Sequence, residues 1–287
     1  MFLATFNLAH YPFYRDRLDA DGRPAPWTLA DLEDFAISHP DEPFAGRVLT
    51  GAMPKVSLQL EATAEPPLWN GLNPPELDRW AGALARMWSR WGVSPGEVIA
   101  FFEYGSSPLV LLASSGYVGY LRHGAAERLG LTAICNDGVA TMAARMVSIV
   151  ETVGPSMLVL RRELVAPFAT ALETAGKTLA GRVRWIALSE TEGATPRPEV
   201  DRAAQHLGVP VYRILRCDPA FLIAGECPDC REFHLDREYR AEGLPTGEVA
   251  VTARFARCCP AARYNIGAAR LLAPGCPLEP RARRIEC

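Results

Sequence analysis

Residues 156–175, SMLVLRRELVAPFATALETA, decide the fold class, because an apolar run changes there into a helical pattern. Residues 156–160 predict a buried strand, and residues 162–175 have the apolar spacing of an amphipathic helix. The same alternation recurs on both sides of this stretch. Further strands are predicted at residues 98–102, 131–135, 183–188 and 209–214, and further helices at residues 74–91, 107–121, 139–153 and 197–207. Repeated strand–helix–strand units predict an α/β fold whose parallel sheet is covered by helices on both faces.

The two ends of the chain have a different character. Residues 1–55 are irregular apart from a short capped helix near residues 28–34, and residues 56–73 have the prolines and asparagines of a loop. After residue 214 the helical periodicity stops, and short strands are predicted at residues 221–225, 233–239 and 248–253. We therefore expect an α/β domain over residues 1–215 and a small β-rich lobe over residues 216–287.

Composition restricts the classes of function. The 287 residues carry a formal net charge of −3 with acidic and basic residues interspersed, so the chain lacks the basic footprint of a nucleic-acid-binding protein. The Arg-rich segment Arg281, Arg283 and Arg284 is interpreted as a solvated end. The apolar N-terminus has no basic region of a signal peptide, and no apolar run is long enough to span a membrane. These features predict a cytoplasmic protein with no membrane partner.

The sequence has eight cysteines and five histidines. Three of the cysteines and one of the histidines have the spacing of a metal site. Cys227-Pro-Asp-Cys230 is a C-x2-C knuckle, His234 follows four positions later, and Cys276 lies in a Pro-Gly-Cys-Pro turn. Three thiolates and one imidazole complete a closed tetrahedral Zn²⁺ site, which would stabilise a lobe with little apolar area. The site would therefore be structural.

Two other interpretations of these cysteines stay open. They could be buried thiols that only pack, or a redox pair, although Cys227 and Cys230 do not open a helix after a βα strand as redox motifs do. The vicinal pair Cys258-Cys259 could supply alternative ligands.

Several motifs, in order along the chain, resemble those of the phenylacetate–CoA ligases, a branch of the AMP-forming acyl and aryl adenylate ligases. The matching segments are Tyr11-Pro12-Phe13-Tyr14-Arg15, residues 91–97 with Tyr104-Gly105, residues 124–130, Ser189-Glu190, Glu226-Cys227 with His234 and Cys276, residues 247–252 and residues 263–268. The resemblance implies the fold of the ligase N-terminal domain, zinc ligands at Cys227, His234 and Cys276, and an acyl pocket lined by Tyr104, Gly105, Ser189 and Ile214.

The chain departs from that family where ATP is handled. The phosphate-binding loop of the family matches residues 60–73, where Glu61, Glu65 and two prolines replace a glycine-rich sequence. Ala268 occupies the position of the aspartate that binds ribose. The adenine motif survives only as Asp218, and the chain ends before the family's C-terminal domain. These departures predict that ATP and Mg²⁺ do not bind, whereas CoA or an acyl thioester can.

The functional expectation follows from what is kept and what is lost. We expect a non-adenylating homologue that binds an aromatic or acyl ligand, or that serves a carrier or ligase protein as an accessory subunit, and that forms a homodimer. The alternatives are an active short ligase or a repurposed acyl-modifying enzyme completed by a partner, and a purely structural zinc protein. The candidate catalytic residues are Cys217, Asp218 and His123.

Overall fold

The computed structural model describes residues 7–49, 51–60, 67–190, 192–267 and 269–287. Its helices are α1 (Pro12–Arg15), α2 (Leu29–Ser38), α3 (Pro74–Arg90), α4 (Pro108–Leu111), α5 (Ala125–Arg128), α6 (Ala143–Val153), α7 (Val165–Thr174) and α8 (Arg197–Leu207). Its strands are β1 (Val56–Gln59), β2 (Trp69–Leu72), β3 (Val98–Glu103), β4 (Thr132–Asp137), β5 (Met157–Arg161), β6 (Trp185–Ser189), β7 (Glu192–Gly193), β8 (Val211–Cys217), β9 (Leu222–Glu226), β10 (Phe233–Leu235), β11 (Tyr239–Gly243), β12 (Val249–Ala253), β13 (Tyr264–Asn265), β14 (Arg270–Leu272) and β15 (Arg283–Glu286). Short 3-10 turns lie at Leu8–His10, Pro43–Gly46, Ala140–Met142, Arg162–Leu164 and Asp218–Ala220.

A large mixed sheet organises the molecule. Five parallel strands lie in the order β4-β3-β5-β6-β8, as the strand–helix alternation predicts. Antiparallel strands then extend the same sheet in the order β9-β10-β15-β14, and β7 pairs with β8. The β-rich part is thus a continuation of the sheet, with β11, β12 and β13 as a separate small sheet. The predicted division after residue 215 falls within β8.

Helices cover both faces of the parallel strands. Successive side chains of a strand point to opposite faces. Phe102, Leu160 and Leu188 pack in one buried cluster with side chains of α6, α7 and α8, whereas Phe101 and Val159 pack in another with side chains of α3. Burial on both faces explains why these strands are continuous apolar runs in the sequence. Each fully buried Phe or Leu side chain stabilises the fold by about 1.5–3 kcal/mol.

Helix α3 connects the N-terminal part of the chain to the antiparallel strands. Pro74 begins it, and the Glu76 carboxylate accepts a hydrogen bond from the Asn73 backbone N–H at 2.7 Å, which caps the first turn. The predicted helix over residues 74–91 is confirmed to within one residue. Its apolar stripe approaches β9 closely at Gly225. A Cβ there would lie 2.6 Å from Met87 Cγ and 2.7 Å from Trp91 Cζ2, so only glycine fits.

Three sequence predictions are wrong. The helix expected over residues 107–121 is limited to α4, because the Glu127 carboxylate accepts hydrogen bonds from Ser114 and Ser115 and holds the following segment in a turn. The loop expected over residues 56–73 contains the antiparallel pair β1–β2, with residues 61–66 outside the described part of the chain. The strand expected over residues 233–239 is two strands, β10 and β11, separated by a turn closed by the Tyr239 N–H and the Asp236 carbonyl oxygen. Within the described ranges, no helix is both long and apolar enough to cross a bilayer.

Candidate functional site

A small cavity opens beyond the carboxyl ends of the parallel strands. The strand order reverses between β3 and β5, and ligands of open α/β sheets bind at such a switch point. The cavity has a volume of about 180 Å³. This switch-point cavity is lined by Gln59, Glu103, Tyr104, Ser106, Ser107, Pro108, Arg161, Glu163, Ser189, Glu190, Arg216 and Asp218.

Buried, mutually compensating charges form its floor. Arg216 donates two hydrogen bonds of 2.7 Å to the Asp218 carboxylate and one of 3.2 Å to Ser107 Oγ. Its Nη1 lies 3.7 Å from Glu103 Oε1, and Glu103 in turn accepts a hydrogen bond from Ser189. All five side chains are more than nine-tenths buried. The Arg216 charge is therefore balanced within the protein.

One wall of the cavity offers an unused donor. The Arg161 guanidinium stacks over the Tyr104 ring, with Cζ 3.7 Å from the ring centroid, and forms an ion pair with Glu163. Its Nη1 atom is buried and has no hydrogen-bond acceptor among the residues that the structure describes. Because a buried polar group is normally paired, a ligand oxygen in the cavity would complete this site.

The lining as a whole is acidic. Four carboxylates, from Glu103, Glu163, Glu190 and Asp218, face two guanidinium groups, from Arg161 and Arg216, which leaves a formal charge of −2. Water is scarce in a small cavity, so these charges are screened less than on an open surface. The cavity disfavours a multiply charged anion.

The predicted site residues lie in different environments. Tyr104, Ser189 and Asp218 line the cavity, whereas Gly105 is not a lining residue although its neighbours Tyr104 and Ser106 are. Ile214 is fully buried in β8 opposite Gly225, away from the lining.

Two of the three candidate catalytic residues are not among the lining residues. Cys217 is buried at the end of β8. His123 is exposed, and its carbonyl oxygen accepts a hydrogen bond from Arg128.

Several lining residues escaped the sequence analysis, and three of them are charged residues on the parallel strands. Glu103, Arg161 and Arg216 each stand at or next to the carboxyl end of an apolar strand. A charged residue in that position is the signal that could have identified them, because the carboxyl ends of parallel strands meet at one edge of a sheet.

The four predicted metal ligands come together. Their ligand atoms all lie within 4.8 Å of one another, with 3.6 Å between Cys227 Sγ and Cys276 Sγ and 3.2 Å between Cys230 Sγ and His234 Nε2. Two thiolates on a tetrahedral Zn²⁺ ion stand about 3.8 Å apart, given Zn–S bonds of about 2.3 Å. The cluster can therefore hold one metal ion.

The surroundings act differently on the individual ligands of this cluster. His234 Nδ1 lies 2.8 Å from Glu279 Oε2, which leaves Nε2 free to bind metal, and burial lowers the pKa of His234 and favours the neutral ring. Burial raises the pKa of Cys227 to about 12. Although burial opposes it, hydrogen bonds from the Glu279 backbone N–H and from neighbouring thiols hold the pKa of Cys276 below its usual range.

The vicinal cysteines lie outside this cluster. Cys258 Sγ is 3.6 Å from the Ala52 carbonyl oxygen, and Cys259 is fully buried in the main core. Neither belongs to a metal-ligand group in the described residues.

Comparisons with known proteins identify the fold. No family model matches the chain, and no curated protein matches its sequence. Among solved structures, 2-hydroxyisobutyryl-CoA ligase in an open conformation with 2-HIB-AMP and CoA matches 99% of this chain with a TM-score of 0.78 and 18% identity. The chain has the fold of the AMP-forming acyl-CoA and aryl-CoA ligases.

More distant similarity extends to aryl-CoA ligases. The O-succinylbenzoate CoA synthetase of Bacillus subtilis with ATP and magnesium matches 70% of the chain with a TM-score of 0.51 and 10% identity. The anthranilate CoA ligase with anthranoyl-AMP also matches 70%, with a TM-score of 0.51 and 12% identity. The chain spans 66% of the hydroxyisobutyryl-CoA ligase and about 40% of the other two. Two of the sequence departures, residues 61–66 and Ala268, lie outside the described residues.

Proposed function

We propose that the protein is a non-adenylating relative of the phenylacetate–CoA ligases that binds a small aromatic or acyl acid, or its thioester, in the switch-point cavity. The acidic lining of this cavity supports the proposal most directly. Among the residues that the structure describes, the lining has two cations, Arg161 and Arg216, and each forms an ion pair with a carboxylate of the chain itself. A bound triphosphate would have to face four carboxylates with one unpaired donor, Arg161 Nη1, whereas a monoanionic acid needs only that donor.

The dimensions of the cavity agree with a small ligand. Pockets for drug-sized molecules measure roughly 300–1,000 Å³, whereas this cavity measures about 180 Å³. A protein cavity of about 150 Å³ accepts a benzene ring. The space therefore suits a single-ring or short acyl acid better than a nucleotide.

Arg161 gives the cavity its ligand chemistry. A carboxylate or thioester carbonyl oxygen would accept the hydrogen bond that Arg161 Nη1 now lacks, while the apolar part of the ligand lies against Tyr104 and Pro108. Such a charge-assisted hydrogen bond is stronger than one between neutral groups.

Zinc is the metal that the cluster suits best. Three cysteines and one histidine supply the soft sulfur and nitrogen ligands of a structural Zn²⁺ site, and they fill all four tetrahedral positions. With no position left for water or substrate, the ion would cross-link β9, β10 and the turn before β15. We further propose that the protein acts as a cytoplasmic homodimer or as an accessory subunit of a ligase or carrier protein, which light scattering of the purified chain can test.

The proposal is tested by two measurements on the purified chain. The first is acid-dependent exchange of pyrophosphate into ATP with a panel of aromatic and short-chain acids, for which we expect no signal above the blank. Exchange by the chain alone would refute non-adenylating character, and exchange that requires a second protein would support a ligase completed by a partner.

The second measurement is titration calorimetry with the same acids and their CoA thioesters. Arg161→Gln should weaken binding about tenfold, the loss expected when one charge-assisted hydrogen bond worth about 1.4 kcal/mol disappears. Arg145→Gln removes an exposed arginine that does not line this cavity, and it should leave affinity unchanged. Saturable binding that is identical in both variants would refute the assigned ligand site.

A further inference from the structure

A second concave surface carries an unusual concentration of arginines. It lies between α3 and the antiparallel part of the sheet, has a volume of about 650 Å³, and shares no lining residue with the switch-point cavity. This arginine groove is lined by Arg86, Ser89, Arg90, Leu235, Asp236, Arg237, Tyr239, Arg254, Glu279, Arg281, Ala282 and Arg283.

The charge of the groove is opposite to that of the whole chain. Six arginines face two carboxylates, a formal charge of +4, whereas the chain as a whole carries −3. The two carboxylates are already engaged. Asp236 accepts hydrogen bonds of 2.7 and 2.9 Å from Arg86, and Glu279 lies 2.8 Å from His234 Nδ1.

Three of the six arginines are available to a ligand. Arg237, Arg281 and Arg283 are exposed, and none of them forms an ion pair with an acidic side chain in the described part of the chain. Beneath them, Leu235 and Tyr239 are buried. The groove thus combines a cationic rim with an apolar floor.

We infer that the arginine groove binds a small molecule that carries two or more phosphate groups. Each guanidinium group is a planar fork of N–H donors that matches phosphate oxygens in pairs, and several forks converge here. The volume lies within the range of small-ligand pockets, and the groove is concave and confined to one place. A nucleic-acid-binding protein instead has an extended basic stripe on its surface, and the interspersed charges of this chain do not form one.

The test uses titration calorimetry on the full chain with two probes, inorganic tripolyphosphate and adenosine 3′,5′-bisphosphate. If both probes bind, the groove recognises the phosphate groups. If only adenosine 3′,5′-bisphosphate binds, recognition also requires the nucleoside. The double variant Arg281→Gln/Arg283→Gln should weaken binding at least about tenfold, because two charge-assisted contacts are lost. Added salt should weaken binding further.

A matched control removes two exposed arginines elsewhere, in Arg122→Gln/Arg145→Gln, and should leave affinity unchanged. Circular dichroism confirms that both variants are folded. The inference fails if neither probe saturates at millimolar concentration, if the control weakens binding equally, or if a polyglutamate peptide or single-stranded RNA binds the groove in preference to both probes. Titration of the groove variant with aromatic acids reports on the switch-point cavity separately, so the two proposals can fail independently.

Discussion

Replacing Glu226 by glutamine should destabilise the protein strongly, because this carboxylate is fully buried among three arginines. Its oxygens lie 2.6 Å from Arg197, 2.8 Å from Arg231 and 3.3 Å from Arg213 Nε, and one accepts the Arg213 backbone N–H at 3.0 Å. Water reaches Arg197 and Arg231, whose side chains are about one-third exposed, but the Arg213 side chain is only 4% exposed. The substitution therefore leaves mainly Arg213 as an uncompensated buried charge.

The expected loss of unfolding free energy follows from other buried ion pairs. Removing one partner costs about 3–5 kcal/mol of unfolding free energy. An unfolding entropy of about 2.1 cal/mol/K per residue gives roughly 0.6 kcal/mol/K for this chain, so the midpoint of thermal unfolding should fall by about 5–8 °C. Calorimetry and urea denaturation at pH 7 measure both quantities.

Two further variants make the result decisive. Glu286→Gln removes the carboxylate of an exposed pair with Arg270 and should cost less than about 1 kcal/mol. Glu226→Gln/Arg213→Met removes both members of the buried pair and should recover part of the loss. A decrease below about 1 kcal/mol for Glu226→Gln alone would refute the view that these charges are desolvated.

Three other perturbations test separate parts of the structure. Native mass spectrometry should find one zinc ion per chain, and Cys227→Ser or chelation should lower the melting temperature sharply whereas Cys287→Ser should not; a melting temperature unaffected by chelation would exclude a structural metal. Although burial opposes it, hydrogen bonds from Thr28 and Arg17 lower the pKa of Asp31, so its stabilisation is present above the unfolded pKa near 3.8 and is lost as the pH falls through the folded value. Asp31→Asn should therefore destabilise the protein at pH 6, and the loss should shrink as the pH is lowered through the acid range in urea titrations; a loss that does not change with pH would contradict this. Gly225→Ala should cost about 1–3 kcal/mol by overpacking α3 against β9, and a neutral result in the same denaturation assay would contradict the close approach.

The parallel strands could be predicted because their signal is local. Strands β3, β5 and β6 are buried on both faces, so each is an unbroken apolar run. Helix α8 follows from its amphipathic pattern, and its bounds agree with the predicted ones. The pair β1–β2 was missed because prolines and asparagines surround it. Its stability also depends on hydrogen bonds between two strands that are separated along the chain.

The two candidate sites differ in how far the sequence reveals them. The metal cluster could be predicted because three of its ligands, Cys227, Cys230 and His234, lie within eight residues of one another. The charged floor of the switch-point cavity could not, because Glu103 and Arg216 come from strands that only the three-dimensional order of the sheet brings to the same edge.

Strand β8 ties the two sites into one structure. Arg213 contacts Glu226, next to the metal ligand Cys227, and three residues later Arg216 compensates Glu103 and Asp218 in the cavity floor. A chain divided after residue 215 would leave Glu103 as a buried carboxylate without its cation, at a cost comparable to that of Glu226→Gln. The change from parallel to antiparallel pairing at β8 is therefore a change in topology within one sheet, and we expect the α/β part and the β-rich part to unfold together in a single transition. Separate calorimetric transitions for the two parts would show that the β8–β9 pair does not couple them.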